Sequence, residues 1–310
     1  MLKPNKEKLQ KVLARIGLGS RREIEQWIVV GRLKVNRVIA TLGDRVGLED
    51  KVELDGRPVR LQGEDEIPQK VIIYHKPAGE VCSRHDPEGR PSVFDAFPKM
   101  RGKRWILIGR LDFNTSGLLL ATTDGELANR LMHPSSEIER EYAVRIVGRM
   151  DSHVAERLKR GVKLEDGLAR FDDIRDAGGE GVNHWYHVIL REGRNREVRR
   201  LFESQNLKVS RLIRVRFGAV TLPRYLRIAQ CKEMDKKEVS ELLASVGLKT
   251  FESGRRKTFL RDEELEMPRK RTVIKRKPTT ELLTLKKTPI FKKNTYRKSH
   301  PVKKVRPRTS

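Results

Sequence analysis

Leu9, Val12, Leu13 and Ile16 recur at helical spacing, and Gly17 and Gly19 end that run. Ser20 then offers an N-cap, with Glu23 three residues on to complete a capping box. Ile24, Trp27 and Ile28 give a second helix its apolar stripe, which Gly31 stops. Leu33–Val35 and Val38–Ala40 read as short strands about Asn36-Arg37, and Val52–Leu54 with Asp55-Gly56 as a further strand and turn. These elements fill a first segment, 1–66. Residues 64–70 are polar, contain Pro68 and read as a linker.

The second segment, 67–247, has the apolar content for a larger core. Strand-like runs at Val71–Tyr74, Trp105–Ile108, Leu118–Thr122, Tyr142–Val147 and Trp185–Leu190 are interspersed with helical stretches near 126–132, 151–160 and 198–204. Several runs follow one another with no helix between them, which predicts an α+β fold with a mixed, largely antiparallel sheet. The third segment, 248–310, carries Pro268, Pro278, Pro289, Pro301 and Pro307 with few apolar residues, and is expected to be a basic disordered tail.

Charge narrows the partner. The chain's formal net charge is +26 over 310 residues. Residues 251–310 hold 20 Lys/Arg against 6 Asp/Glu, and the first 250 hold 48 against 36, so both parts are basic. That balance suits a polyanion that releases counterions on contact. No stretch approaches the roughly 20 apolar residues of a membrane span. Cys82 and Cys231 are far apart and read as reduced thiols. No apolar stretch follows Leu2-Lys3-Pro4, so the expectation is a cytoplasmic protein. His184 and His187 would point to opposite faces of a strand, and no metal site is expected. A monomer is the expected state.

The sharpest chemical feature is Gly109-Arg110-Leu111-Asp112-Phe113-Asn114-Thr115-Ser116-Gly117-Leu118-Leu119-Leu120. One apolar strand ends at a glycine, a loop presents a lone acid, and a second apolar strand begins. Such a carboxylate could act on a bound substrate, and could equally close a turn on its own backbone. The run resembles the aspartate motif of the RsuA-type ribosomal RNA pseudouridine synthases, in which the aspartate is the nucleophile. Arg140-Glu141-Tyr142-Ala143-Val144 is similar to the family's basic-x-Tyr motif, implying that Tyr142 stacks on the target base. Glu192-Gly193-Arg194-Asn195-Arg196-Glu197-Val198-Arg199-Arg200-Leu201 is similar to its third motif, implying that Arg199 pairs with Asp112. Position 197 is usually Gln in the family and is Glu here. The first segment, through Gly19-Ser20-Arg21-Arg22-Glu23 and Gly31-Arg32-Leu33-Lys34-Val35-Asn36, resembles the S4 RNA-binding domain.

The resemblance covers about 1–247 and implies isomerisation of one uridine to pseudouridine, with no redox change and therefore no cofactor. Glu197-Val198-Arg199-Arg200, Gly178-Gly179-Glu180-Gly181 and Asp86-Pro87-Glu88-Gly89-Arg90-Pro91 look most like the large-subunit branch. That branch implies a uridine in a 23S rRNA stem-loop near the peptidyl-transferase centre. A sister enzyme for another 23S or 16S uridine, or a non-catalytic assembly factor that only binds rRNA, are the alternatives. Candidate RNA contacts are Arg21, Arg22, Arg32, Arg84, Arg90, Arg110, Arg194 and Arg196. Deleting 251–310 should weaken RNA binding and flatten its salt dependence, by about 0.7 in log–log slope for each phosphate the tail neutralises, without moving the modified site. Filter binding across a salt series, with pseudouridine mapping, measures both.

Overall fold

The computed structural model describes residues 6–63, 69–100 and 103–249. The tail expected at 248–310 lies outside them from residue 250 on, as does most of the 64–70 linker.

The first module opens with α1 (Leu9–Arg15) and α2 (Arg21–Val29). Ser20 accepts from Glu23 N–H while the Glu23 carboxylate takes the Ser20 N–H, so the capping box forms from both sides. Strands β1 (Leu33–Val35), β2 (Val38–Ile39), β3 (Val52–Leu54) and β4 (Arg57–Val59) follow in antiparallel order β2-β1-β3-β4. The turn between β1 and β2 puts both Asn36 and Arg37 at positive φ, the conformation a two-residue hairpin needs. Leu9, Leu13, Ile24 and Leu33, all fully buried, centre this module's own core.

The larger unit is built on one sheet. Its strands of three residues or more are β5 (Val71–Lys76), β6 (Ile106–Ile108), β7 (Ser116–Thr122), β8 (Arg140–Val147), β9 (Asp173–Glu180), β10 (Asn183–Leu190), β11 (Val209–Phe217) and β12 (Cys231–Glu233). The main path runs β9-β10-β8-β11-β7-β5-β12, with β6 on β7. Pairings are antiparallel except β11 with β7, which run parallel at the centre. This is the mixed, largely antiparallel sheet read from the sequence.

Helices α3 (Gly125–Met132) and α6 (Lys236–Ala244) cover one face of β5 and β7. Ile72, Tyr74, Leu119 and Ala121 face a second core on the other side, which includes residues of α4 (Ser152–Arg160) and α5 (Glu197–Glu203). Burial on both faces explains why β5 and β7 are nearly continuous apolar runs, whereas β8 alternates buried and half-buried positions. Among the described residues no helix is long and apolar enough to cross a membrane.

The parallel junction depends on one glycine. Gly117 sits opposite Arg214 at φ +105°, and a Cβ there would lie 2.3 Å from the Arg214 carbonyl oxygen. Gly117→Ala should therefore destabilise the protein by about 2–4 kcal/mol or prevent folding. Urea denaturation measures this; a loss below about 0.5 kcal/mol would show that the junction can give way.

Candidate active site

The aspartate loop, 111–115, enters the central strand β7 beside the parallel junction. Its backbone is held from two sides. Lys76, fully buried at the end of β5, donates from Nζ to the carbonyls of Asp112 (3.3 Å), Phe113 (3.4 Å), Thr115 (2.9 Å) and Pro77 (2.8 Å). Burial pushes the Lys76 pKa down, but four acceptors around one nitrogen favour its charged form. Gly79 N–H donates to the Phe113 carbonyl at 2.8 Å, and Leu111 N–H to the Cys82 thiol at 3.4 Å. Burial pushes that thiol's pKa up, so it stays protonated. Thr115 N–H closes the turn on the Asp112 carbonyl at 3.0 Å.

On the other side Arg199, 8% exposed, donates to the carbonyls of Asn114 (2.9 Å) and Val209 (3.2 Å). The direct pair with Asp112 expected from the resemblance is not formed here. Arg199 grips the loop backbone two residues further on, because α5 sets it behind the loop. It still lies within electrostatic reach of Asp112, as does Lys76. The half-buried Asp112 carboxylate makes no ion pair or hydrogen bond with the described residues. It neither closes a turn with its side chain nor spends its charge on a neighbour.

Asp112 opens into a cleft of about 1580 Å³ that also contains Tyr142. Tyr142 is 9% exposed on β8 and belongs to the core cluster, so its ring is held rather than swinging free. The cleft extends to the N-terminus of α2, where Arg21 and Arg22 line it. Arg104 reaches from the larger unit to Glu23 at 3.8 Å.

The eight candidate contact arginines divide clearly. Arg21, Arg22, Arg84, Arg110, Arg194 and Arg196 line the cleft; Arg32 and Arg90 do not. Arg32 forks onto Asp55 and lies over Trp27, and Arg90 forks onto Asp86. Arg84 donates to the Trp105 carbonyl at 2.7 Å with its guanidinium 3.8 Å from the Phe94 ring centre, so it latches its own loop. Arg194 is engaged by Glu192 and the Leu168 carbonyl, and Arg196 by Glu203. Arg21, Arg22 and Arg110 are exposed and make no ion pair with the described residues.

Sequence reasoning passed over two buried cations, Lys76 and Arg214, the latter 2% exposed on β11 and lining the cleft. A lysine closing an apolar strand directly before Pro77 was a readable signal. Arg214 was not, since it stands among Arg211 and Arg216 on one strand.

Two family models match the chain: RNA pseudouridylate synthase over residues 70–204 and S4 domain over 7–52. The "Ribosomal large subunit pseudouridine synthase B" of Pseudomonas aeruginosa is 59% identical over 247 residues, covering 79% of this chain and 64% of that protein. The chain thus spans somewhat under two thirds of that relative. The Haemophilus influenzae protein of the same name is 57% identical, covering 78% of this chain and 68% of the relative; the Salmonella typhimurium one is 57% identical, with 78% and 84%. A solved pseudouridylate synthase superposes with a TM-score of 0.53 at 23% identity, over 76% of this chain and 99% of its own, which shows the shared fold. The chain belongs to the RNA pseudouridylate synthase family and carries an S4 domain.

Lys76→Met should cost about 2–4 kcal/mol, because four backbone carbonyls each lose a charged donor and a fully buried site loses its cation. Denaturation measures the cost, and hydrogen exchange at the Gly79 and Thr115 amides should quicken selectively. Unchanged exchange at those amides would mean the lysine does not hold the loop.

Proposed function

We propose that this protein converts one uridine of large-subunit ribosomal RNA to pseudouridine in the cytoplasm, with Asp112 as the group that attacks the target nucleoside. The observation that carries this is a carboxylate with no partner among the described residues, on a braced loop inside a cleft whose other charges are mostly cationic. The names of the relatives support ribosomal RNA of the large subunit as the substrate class.

The chemistry follows from what the reaction requires. The bond between the uracil nitrogen and the sugar must break, the base must turn, and its C5 must join the same sugar carbon. An ionised carboxylate can attack C1′, or can take the proton from C2′ on the way to a glycal. Either role needs a charged acid. Water must be excluded, since hydrolysis at C1′ would leave an abasic site. The target must also leave its stack, and Tyr142 offers an aromatic surface to receive it. Arg199 contributes by fixing the loop and its field. Arg21, Arg22 and Arg110 are the cations with charge to spare for phosphates. The uridine assigned by resemblance, in a 23S stem-loop near the peptidyl-transferase centre, remains the specific target proposed.

Asp112→Asn should abolish pseudouridine formation on a 23S fragment in vitro, while RNA affinity stays within a few-fold. A mutant that still modifies RNA would remove Asp112 from the mechanism. Replacing Arg21 and Arg22 together with Gln should weaken binding about 10-fold or more near physiological salt and reduce the salt slope. An unchanged slope would place the RNA elsewhere.

A further inference from the structure

Arg214 is a buried cation whose charge the protein leaves largely unanswered. It stands opposite Tyr142 on β8 and opposite Gly117 on β7, between the tyrosine and the strand that carries the aspartate loop. Only its Nε donates to the protein, to the Leu118 carbonyl at 2.7 Å. Nη2 is shut off from water with no acceptor, and no carboxylate pairs with the guanidinium among the described residues. The Phe217 ring, 5.1 Å away, is a weak counterweight. Lys76 gives its hydrogens to backbone carbonyls, and Arg199 gives both its Nη groups to carbonyls while its Nε is buried without a partner. A guanidinium stays charged at any working pH, and burying it unpaired is costly. A cation kept this way on the wall of a substrate cleft is set to meet negative charge that the reaction creates.

We propose that Arg214 holds the uracil while it is detached, its Nη1, which makes no hydrogen bond with the described residues, donating to a ring carbonyl oxygen. If Asp112 attacks C1′, an O–C1′ bond forms and the C1′–N1 bond breaks. If it takes the C2′ proton, the C2′–H electron pair becomes the C1′=C2′ bond as C1′–N1 breaks. In both cases the N1 pair leaves with the base, giving a uracil anion whose charge is shared by O2 and O4. Arg214 stabilises that anion until C5 bonds to C1′, as the Asp112 O–C1′ bond breaks or, on the glycal route, as C2′ takes its proton back from Asp112; N1 then takes a proton and C5 loses one. This rests on the reading of Asp112 above.

The test is single-turnover cleavage of the base–sugar bond in two RNAs that differ only in carrying uridine or 5-fluorouridine at the target. Fluorine makes the ring a better leaving anion, so it needs less help. Arg214→Met should slow the uridine substrate by about 100-fold or more, the size expected for losing an anion donor. It should slow the fluorinated one far less, with RNA affinity within a few-fold and Tm unchanged or raised. Arg214→Lys, which keeps the charge and guards against a folding failure of the first variant, should show a smaller defect with the same dependence on the leaving group. Equal losses on both RNAs, or a fall in Tm that accounts for the lost rate, would overturn the proposal. Asp112→Asn run alongside should be inactive on both RNAs; activity there would sink the reading of Asp112 and leave the Arg214 comparison to be judged by itself.

Discussion

A single ammonium group organises the loop on which the site depends. Lys76 lies at the end of a fully paired strand, and its hydrogens are shared among the carbonyls of the aspartate and of two residues that follow it. Loop carbonyls inside a protein need donors, and no ladder reaches these. The lysine supplies what a strand neighbour would have supplied, and leaves the Asp112 side chain free to face the cleft. Arg199 does the same for Asn114 from the opposite flank. The two cations therefore fix the loop from opposite flanks through hydrogen bonds to its backbone.

The surface cations sort by the same reasoning. A net charge of +26 announces a polyanionic partner but says nothing about which arginines meet it. Those forked onto a neighbouring carboxylate, such as Arg32 on Asp55 and Arg90 on Asp86, have their geometry fixed by the fold. A pair of that kind would have to be broken before the guanidinium could grip a phosphate well. Arg21, Arg22 and Arg110 carry no such obligation, and all three line one cleft. The binding surface is thus narrower than composition implies.

Much of this was legible in the chain. The capping box at Ser20 and Glu23, the hairpin about Asn36-Arg37 and the doubly buried runs on β5 and β7 all follow from local rules, and the structure contains each. Strand β11 escaped notice because Arg211, Arg214 and Arg216 break its apolar rhythm. Inward and outward arginines look alike until the neighbours of the strand are known. Strand β9 escaped because Asp173–Glu180 is a polar edge strand with a register shift at Asp176–Gly179. Asp112 and Tyr142 were singled out by motif, and their shared cleft is a result of topology. The bond from Arg199 to Asn114 instead of Asp112 could not be read from spacing, since it depends on where α5 seats against the loop.

Mapping pseudouridines in ribosomal RNA from cells that lack this protein, beside the same cells supplied with it again, tests the central claim most directly. One pseudouridine of the large-subunit RNA should vanish and then return, with every other modified position unchanged. An identical map in both strains would contradict the account, and so would a loss confined to the small subunit.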